Sequence, residues 1–396
     1  MTLARQPRVM LYVQHLLGIG HLMRARRIAS ALDNDGFKVT LITGGSPVSG
    51  FESSSIDQVA LASMAVRDGS FGELVDVDGN TIDDAFKARR LQHLLRVFDA
   101  ARPDIVMIEA FPFGRRQLRF ELLPLIDAIK ASVPKPMLVT SVRDVLQRNR
   151  KAGRDEETAS LVTQYFDKVL VHGDPNFVTL DETFPFAACI ADKIVYTGLV
   201  CGPPPNASTD RFDIVVSAGG GAVSSSLVRA SLQAAAQLPE TNSWCVITGP
   251  NLPQKEYDEL ISKVPANVKL VRFRTDFVSL LANASLSISQ AGYNTVSDIL
   301  QTQCNALLIP FSEHGETEQA HRAARLNQLG LASVLPDEAL SDKLTSGDKL
   351  ATAIRTALLH EPAESASVAP AINFDGAAGT ANVLRNLLGD FYGQEN

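Results

Sequence analysis

The sequence lacks the excess of positive charge that is typical of nucleic-acid-binding proteins and the long apolar stretches that are typical of membrane proteins. Its 37 lysines and arginines are outnumbered by 44 aspartates and glutamates, which gives a formal net charge of −7. A nucleic-acid binder contacts phosphates through clustered cations, so this composition disfavours that class. No segment approaches the roughly 20 consecutive apolar residues of a membrane-spanning helix. The sequence therefore predicts neither a nucleic-acid partner nor a transmembrane segment.

Cysteine is also scarce, and its positions do not suggest a metal site. The spacing of the four cysteines fits no common zinc or iron–sulfur pattern, which predicts reduced thiols inside the cell. The chain enters its first apolar run at Val9 without a signal-peptide core. We therefore expect a cytoplasmic protein that holds no metal, with peripheral association at the inner membrane surface left open. The cysteines are Cys189, Cys201, Cys245 and Cys304.

Three nucleotide- and metal-binding signatures are incomplete or missing. Gly18 and Gly20 do not make a full G-x-G-x-x-G, and no acidic residue ends the following strand at Thr43, so a dinucleotide site there is weakly supported. The glycine-rich loop at 217–224 has no Gly-Lys-Ser or Gly-Lys-Thr, which disfavours ATP hydrolysis. No D-x-D pattern falls in a plausible cleft position, in agreement with a reaction that needs no metal or cofactor.

The 396 residues are too many for a single hydrophobic core, since such cores rarely grow beyond about 250–300 residues. Apolar runs alternate with helix-period segments, which predicts an α/β fold with doubly wound parallel sheets. The proline-rich stretch at 201–208 has the composition of a linker. We place the domain boundary there, with domains at 1–205 and 206–375 and a C-terminal helix at 376–396.

Residues 284–319 read as two strand–helix units in series. The first helix is predicted from about Asn294 to 301, and a second begins near Glu316. Loops at the carboxyl ends of parallel strands share one crevice, so the turn at 290–295 and the loop at 311–319 should face the same ligand. Asn294 or Thr295 can cap the first helix and leave its N–H groups for a phosphate. An ordinary strand-to-helix turn remains the alternative.

The same two loops carry candidate ligands for a nucleotide-sugar. Gly292 lets the backbone approach a ligand closely, and Asp298 is placed to accept the hydroxyls of a ribose. Glu318 and Gln319 open the next helix and could bind a sugar. An acid in a first helical turn can instead serve only the helix dipole. In the loop before residue 225, the glycines 219, 220 and 221 predict either close packing or an anion cradle.

A second informative stretch follows the first strand. His21 stands at a helix start after Gly18 and Gly20, where its ring can reach a crevice and a neutral imidazole is favoured. Helix capping or packing is the alternative role. Glu109, at the end of a later strand, is a second acid–base candidate. Arg115, Arg116 and the neighbouring Arg119 could hold an anionic acceptor, or could be ordinary solvated arginines.

The order S-x-A-G-x-x-T-x-x-[DE], then P-F, then an acid or amide next to Gln, resembles the donor half of GT-B glycosyltransferases. It is most similar to the group that makes the lipid-linked precursor of peptidoglycan by transferring N-acetylglucosamine. The resemblance implies two Rossmann-like domains facing each other across a cleft, with the C-terminal helix crossing back to the first. The loop G-x-G-H-x-x-R resembles the first loop of this group. It also resembles that of the nucleotide-sugar hydrolase of pseudaminic acid synthesis.

The resemblance also implies roles for residues. Asp298 would hold the ribose, Glu318 and Gln319 the donor sugar, and the glycine-rich loop the pyrophosphate, while Gly20 and Arg24 would lie beside the acceptor. Glu318 stands where the group often has Gln. The full set of donor candidates is Gly219, Gly220, Gly221, Arg274, Gln290, Gly292, Asn294, Thr295, Asp298, Glu318 and Gln319.

The expected function is a glycosyltransferase that moves a sugar from a nucleotide-sugar, by family habit a UDP-sugar, to a hydroxyl acceptor. The acceptor could be a small molecule, a glycan or a lipid-linked sugar. His21, with Glu109 as the second candidate, would take the acceptor proton. A nucleotide-sugar hydrolase, a 2-epimerase and a non-catalytic nucleotide-sugar-binding protein remain alternatives on the same fold.

Overall fold

The structure is a computed structural model that describes residues 5–16, 18–46, 55–67, 73–202, 205–206, 210–219, 225–238, 242–249, 252–312, 315–359 and 371–393. The described residues form two compact units. The first contains those up to Val200 together with those from Ile372 onwards, and the second contains those from Cys201 to Ala371. Each unit has its own parallel sheet and its own core.

The first unit is built on a sheet of parallel strands with helices in the connections. Its strands are β1 Arg8–Val13, β2 Lys38–Thr43, β3 Asp57–Ala60, β6 Ile105–Glu109, β7 Met137–Arg143, β8 Lys168–His172 and β9 Ile194–Tyr196, with the small antiparallel pair β4 Ala65–Val66 and β5 Leu74–Val75. Its helices are α1 Gly20–Asn34, α2 Asp84–Ala101, α3 Arg119–Ala131, α4 Arg154–Tyr165 and α11 Gly376–Gly393.

The strand order is β3-β2-β1-β6-β7-β8-β9, and every neighbour pair in this sheet is parallel. Strands buried on both faces read as continuous apolar runs, as Val9 to Val13 of β1 do. In α1 the buried residues Leu22, Ala25, Ile28 and Leu32 recur at helical spacing and pack towards the core. The order reverses between β1 and β6, which is the point where ligands bind in open α/β sheets.

The second unit repeats this plan. Its strands are β10 Ile214–Ser217, β11 Trp244–Ile247, β12 Val268–Val271, β13 Leu286–Ser289, β14 Ala306–Leu308 and β15 Ser333–Val334, in the order β12-β11-β10-β13-β14-β15. Its helices are α5 Ser225–Ala235, α6 Gln254–Ile261, α7 Phe277–Asn283, α8 Tyr293–Thr302, α9 Glu318–Gln328 and α10 Ser346–Leu359. The reversal lies between β10 and β13. The predicted α/β class with doubly wound parallel sheets is confirmed.

One detail of the predicted second unit is wrong. Asn294 and Thr295 do not cap α8, because the helix begins at Tyr293 and its N-cap residue is Gly292, which has no side chain to offer. The two polar residues lie inside the first turn instead. Within the described ranges, no helix combines the length and the apolar character that crossing a membrane requires.

A fully buried polar cluster joins β1, α2 and α3 of the first unit. Arg90 of α2 donates from Nε to Oε2 of Glu121 at 2.7 Å, and neither side chain is exposed. Tyr12 donates its hydroxyl to the other oxygen of Glu121, and Arg90 also reaches Oε1 of Gln14 at 2.6 Å. Each partner is satisfied by another element, so the cluster fixes the two helices against the central strand.

The returning C-terminal segment packs backbone to backbone against the end of β9. The N–H of Asn373 donates to Oδ2 of Asp174 at 2.8 Å, and Leu199 donates to the carbonyl of Asn373 at 2.8 Å. A Cβ atom on Gly376 would lie 2.2 Å from the carbonyl oxygen of Gly198. The first turn of α11 can approach this closely only because its first residue is glycine.

Two glycine-to-alanine substitutions in α11 should have opposite effects. Gly376→Ala should destabilise the first unit by about 1–3 kcal/mol, because the new methyl group meets rigid backbone. Gly389→Ala, in the same helix with nothing within 4 Å of the new atom, should stabilise it by about 0.5–1 kcal/mol through helix propensity. Urea unfolding followed by circular dichroism measures both. Equal effects of the two variants would contradict the close packing at Gly376.

Candidate active site

The carboxyl edge of the first sheet gathers polar side chains from three neighbouring strands, β6, β7 and β8, and from the start of α1. Glu109 ends β6 and lies in register with Ser141 of β7, and Arg143 of β7 lies in register with His172 of β8. His21 is the second residue of α1, which follows β1. These residues therefore meet beside the β1/β6 reversal.

His21 and Glu109 are in direct contact although 88 residues separate them. The Nδ1 atom of His21 lies 2.7 Å from Oε1 of Glu109. Arg24, one helical turn after His21, donates from Nη2 to the same oxygen. The Glu109 side chain is only 2% exposed, and that of His21 is 17% exposed. One buried carboxylate thus fixes both the ring and the guanidinium.

The electrostatic surroundings keep this pair in a definite protonation state. The pKa of His21 is lowered to about 3, mainly by burial and in smaller part by Arg115 and Arg143, against the opposing effect of Glu109. Burial acts to raise the pKa of Glu109, but His21 and Arg24 outweigh it and hold that pKa below its usual range. At neutral pH the site contains a neutral imidazole and a carboxylate.

This arrangement fixes the tautomer of His21. An ionised carboxylate only accepts hydrogen bonds, so Nδ1 of His21 must carry the proton that faces Glu109. Nε2 then holds a lone pair and can accept a proton from a ligand. The neighbouring carboxylate stabilises the imidazolium that such a transfer produces.

The arginines of the loop after β6 have different surroundings. Arg116 and Arg119 both donate to Glu157 of α4, one to each carboxylate oxygen. Arg115 has a left-handed backbone with φ of 58°, and its Nε is buried without a hydrogen-bond partner. Its charge acts on both His21 and Glu109. Among the residues predicted to bind the acceptor, Arg115 acts on the His21–Glu109 pair, and Arg116 donates to Glu157. Gly20 is the first residue of α1.

Two further histidines, His172 and His15, also lie at this edge. His172 bridges Oγ of Ser141 at 2.7 Å and Oγ1 of Thr197 at 2.8 Å, and burial lowers its pKa to about 3. His15 is 7% exposed and contacts the carbonyl of Ser46 through Nε2 at 3.0 Å. His172 ends β8 and His15 comes two residues after β1, so each lies at the carboxyl end of a buried strand, which is the signal that could have selected it.

The loops at the β10/β13 reversal of the second unit also meet. A Cβ atom on Gly219, whose φ is +79°, would lie 3.0 Å from Oε1 of Gln290. Gly219 and Gln290, predicted from separate motifs, are therefore neighbours. Gly220 and Gly221 lie outside the described residues. Gly292 is the N-cap residue of α8, and no side chain caps this helix start at the reversal.

Asp298 contacts the backbone of its own unit. It is 4% exposed, and its Oδ1 accepts from the N–H of Gly202 at 3.0 Å. The neighbouring Cys201 donates to the carbonyl of Ser297. The stretch at 201–202 thus packs on the first turns of α8, a contact that no sequence pattern indicated.

Acidic side chains at and just before the start of α9 form hydrogen bonds and an ion pair there. Oε1 of Glu316 accepts from the N–H groups of Glu318 and Gln319, and Gln319 accepts from the N–H of Phe311 at 3.1 Å. Glu318 pairs at 3.0 Å with Arg322, which is fully buried and donates to the carbonyl of Ala291 at 2.8 Å. Arg322 was not predicted, although its i,i+4 spacing from Glu318 indicated a pair.

Arg274 is engaged by two carboxylates. It donates to both oxygens of Asp276, at 2.8 and 2.6 Å, and to Asp210 at 2.8 Å. These bonds raise its pKa, with the bonds to Asp276 as the largest cause. The side chain thereby orders the loop before α7. In the part of the chain that the structure describes, no three His, Cys, Asp or Glu side chains converge as metal ligands do.

Comparison with known proteins supports the resemblance seen in the motifs. Residues 214–377 match the glycosyltransferase family 28 C-terminal domain. A UDP-N-acetylglucosamine–N-acetylmuramyl-(pentapeptide) pyrophosphoryl-undecaprenol N-acetylglucosamine transferase of Rhizobium leguminosarum is 31% identical over 128 residues, which is 32% of this chain and 33% of that protein. The chain thus spans about a third of the length of this relative. The predicted resemblance to family 28 is confirmed for the C-terminal region.

Solved structures extend the likeness in fold to nearly the whole chain. The calicheamicin glycosyltransferase CalG4 has a TM-score of 0.62 at 17% identity, covering 97% of this chain and 99% of that one. MurG of Acinetobacter baumannii has a TM-score of 0.59 at 15% identity, covering 96% and 100%. At these identities the likeness establishes the GT-B fold.

Proposed function

We propose that this chain is a glycosyltransferase that moves a sugar from a nucleotide-sugar to a hydroxyl acceptor. The observation that carries the proposal is the buried His21–Glu109 pair at the sheet reversal, in a chain whose second unit matches a glycosyltransferase domain. The pair supplies a base, and the second unit supplies the features of a donor site. A non-catalytic binding protein would have no need of an oriented base.

In the proposed reaction, Nε2 of His21 takes the proton of the acceptor hydroxyl. The acceptor oxygen forms a bond to the anomeric carbon of the sugar, and the bond from that carbon to the nucleoside diphosphate breaks, with its electron pair leaving on the diphosphate. Glu109 orients the imidazole and stabilises the imidazolium, and Arg24 holds Glu109 in place. His21 and Glu109 thus act as one unit, with His21 as the base.

The second unit would bind the donor and stabilise its departing diphosphate. The start of α8 lies at the β10/β13 reversal, with Gly219 near Gln290, and a helix N-terminus attracts negative charge. Charge that develops on the leaving group would be stabilised there without proton transfer. Asp298 remains our candidate for the ribose, and Gln290 and Gln319 for the phosphate and sugar.

A UDP-sugar is the proposed donor. The Rhizobium relative is named for a transfer from UDP-N-acetylglucosamine, and it matches this chain at 31% identity. The name of that relative also specifies a lipid-linked acceptor, a pyrophosphoryl-undecaprenol. An acceptor of that kind would bring this chain to the cytoplasmic surface of a membrane, which we include in the proposal.

A thermal-shift panel of UDP, dTDP, GDP, ADP and NAD tests the donor site. We expect selective stabilisation by UDP that grows with concentration, because a ligand that binds only the folded state raises its stability. UDP-sugars should then stay intact until an acceptor-containing extract is added. Release of free sugar without acceptor would identify a hydrolase instead. No response to any nucleotide would remove the donor site and with it this function.

Asp298→Asn separates a ribose contact from a structural role. The amide keeps an oxygen for the N–H of Gly202, so the protein should fold normally. The variant loses the carboxylate whose two oxygens would accept hydrogen bonds from the ribose hydroxyls. We therefore expect its affinity for UDP to fall about tenfold, which corresponds to about 1.4 kcal/mol. Isothermal titration with UDP measures this. The matched control is Asp258→Asn on α6, and equal affinities in all three proteins would dismiss the ribose role.

A further inference from the structure

A buried arginine of α9 joins the turn after β13 to the start of its own helix. Arg322 donates from Nη1 to the carbonyl oxygen of Ala291 at 2.8 Å and from Nη2 to Oε1 of Glu318 at 3.0 Å. Its guanidinium also lies over the ring of Tyr293, 5.8 Å from the ring centroid. Arg322 is fully buried, and Glu318 is 3% exposed. The two segments are therefore held to each other through this side chain.

These contacts fall at the point where α8 begins. Ala291 precedes the N-cap residue Gly292, and Tyr293 is the first residue of the helix. Helix starts are commonly held by a capping side chain, but no side chain caps this one. The first intrahelical bond runs from the N–H of Val296 to the carbonyl of Gly292 at 3.0 Å. Arg322 thus contacts the residues on both sides of an N-cap that has no side chain of its own.

Stability alone does not account for a buried ion pair at this place. The attraction between two buried charges is largely offset by the cost of removing them from water, and well-packed apolar side chains often replace such a pair without loss. A guanidinium offers something that they cannot, which is a rigid planar fork with donors in several directions. Arg322 uses that fork to reach Ala291 and Glu318 at the same time. Its distinguishing property is therefore geometric.

We propose that Arg322 is a positioning residue for the diphosphate of the donor. It fixes the turn at 291–293, so that the start of α8 keeps the orientation that receives the diphosphate. Glu318 acts as the counter-ion of Arg322 and not as a ligand of the sugar. The identity of the ligand rests on the proposed function. The fixed turn does not, because all of its contacts lie within the second unit and can be tested without a ligand.

The first test measures the turn in the ligand-free protein. Arg322→Lys keeps a positive charge beside Glu318 but replaces the planar fork with a single ammonium group. Amide hydrogen exchange, followed by mass spectrometry, should become about tenfold faster in the peptide that contains Val296, because the first bond of α8 opens more readily. Peptides from β11 should keep their rates. The control is Arg355→Lys, an exposed arginine of α10, which should leave both regions unchanged.

The second test separates positioning of the diphosphate from general support of the second unit. UDP and UMP are titrated calorimetrically into the wild-type protein and both variants. In Arg322→Lys we expect the affinity for UDP to fall about tenfold and that for UMP about twofold, because UMP lacks the outer phosphate. If Arg322 only supported the core, the two nucleotides would weaken together. Arg355→Lys should bind both as the wild type does.

A second variant covers the case in which Arg322→Lys does not fold. Glu318→Gln removes the charge that holds Arg322, so exchange at Val296 should again rise and UDP should bind more weakly. The ratio of the affinities for UDP and for the UDP-sugar that most stabilises the protein should stay constant, because Glu318 does not contact the sugar. A change in that ratio would restore Glu318 as a sugar ligand and overturn its role as a counter-ion.

Two results would overturn the role of Arg322: unchanged exchange at the start of α8, or faster exchange there with equal losses for UDP and UMP. The proposed function fails by a different sign, which is the absence of UDP binding to the wild-type protein. The diphosphate part of the inference would then fail with it. The exchange experiment would still confirm or overturn the fixed turn.

Discussion

His21→Ala should lower turnover of the preferred nucleotide-sugar by about 10²–10⁴-fold, with UDP binding unchanged. The size of the loss in turnover is that expected when a general base is removed. UDP binding should be unchanged because His21 belongs to the first unit, while we propose that UDP binds to the second. Turnover is measured as UDP release. The reaction contains the nucleotide-sugar that most stabilises the protein and an acceptor-containing extract. Thermal shift with UDP measures binding.

The control for this substitution is His93→Ala. His93 lies on α2, away from the carboxyl edge, and its removal deletes an imidazole of the same size. Turnover within twofold of the wild type in His21→Ala would withdraw the catalytic role. A loss of the far-ultraviolet circular dichroism spectrum would instead show that His21 mainly supports the fold.

The pH dependence of the wild-type protein provides a second measure of the same group. Since burial lowers the pKa of His21 to about 3, the base stays unprotonated as the pH falls from neutrality to the ordinary histidine pKa of about 6.5. Turnover should show no acid limb in that range. An acid limb centred near 6.5 would mean that the ring is hydrated, since burial is the main cause that lowers its pKa.

Glu121→Ala should destabilise the first unit by about 3–5 kcal/mol. The substitution leaves the fully buried Arg90 without its carboxylate and removes the acceptor for Tyr12, and an uncompensated buried charge costs about this much. Urea unfolding followed by circular dichroism measures the change. Trp244 is the sole tryptophan and lies buried in the second unit, so its fluorescence reports that unit separately and should keep its midpoint.

Two further variants test the reason for this loss. Glu121→Gln keeps an acceptor for the Tyr12 hydroxyl and should be less damaging than the alanine. Asp84→Ala removes an exposed carboxylate that pairs with Lys87 on the surface of α2, where an ion pair contributes little. If Asp84→Ala cost as much as Glu121→Ala, burial of the Arg90–Glu121 pair would not be the cause.

The elements of the fold were largely predictable because their signals are local. The apolar run at Val9 predicted β1, and the strand–helix pattern at 284–319 predicted a helix from about Asn294 to 301, which appears as α8 within a residue or two of those bounds. The alternation of strands and helices then determined the class. Loops at the carboxyl ends of parallel strands lie at one edge of the sheet. In agreement with this, Gln290, after β13, lies beside Gly219, after β10.

The pairings inside the sites were not predictable from sequence. His21 and Glu109 were proposed separately, and only the β1/β6 adjacency brings them together. Arg116 looked equivalent to Arg115 until Glu157, more than 40 residues later, proved to engage it. Asp298 was expected to face only a ligand, yet it also accepts from Gly202. Each contact joins residues far apart in the chain, where periodicity carries no information.

The Glu318–Arg322 pair has a consequence for any attempt to alter the start of α9 by directed evolution. Arg322 is buried and joins Glu318 to the carbonyl of Ala291, so altering Glu318 alone removes a carboxylate that faces a buried cation. Single-site libraries at 318 would then be depleted of stable clones, because most replacements remove the carboxylate that neutralises Arg322. Libraries that vary 318 and 322 together would instead let a neutral pair, or a charge-reversed one, emerge as a working solution.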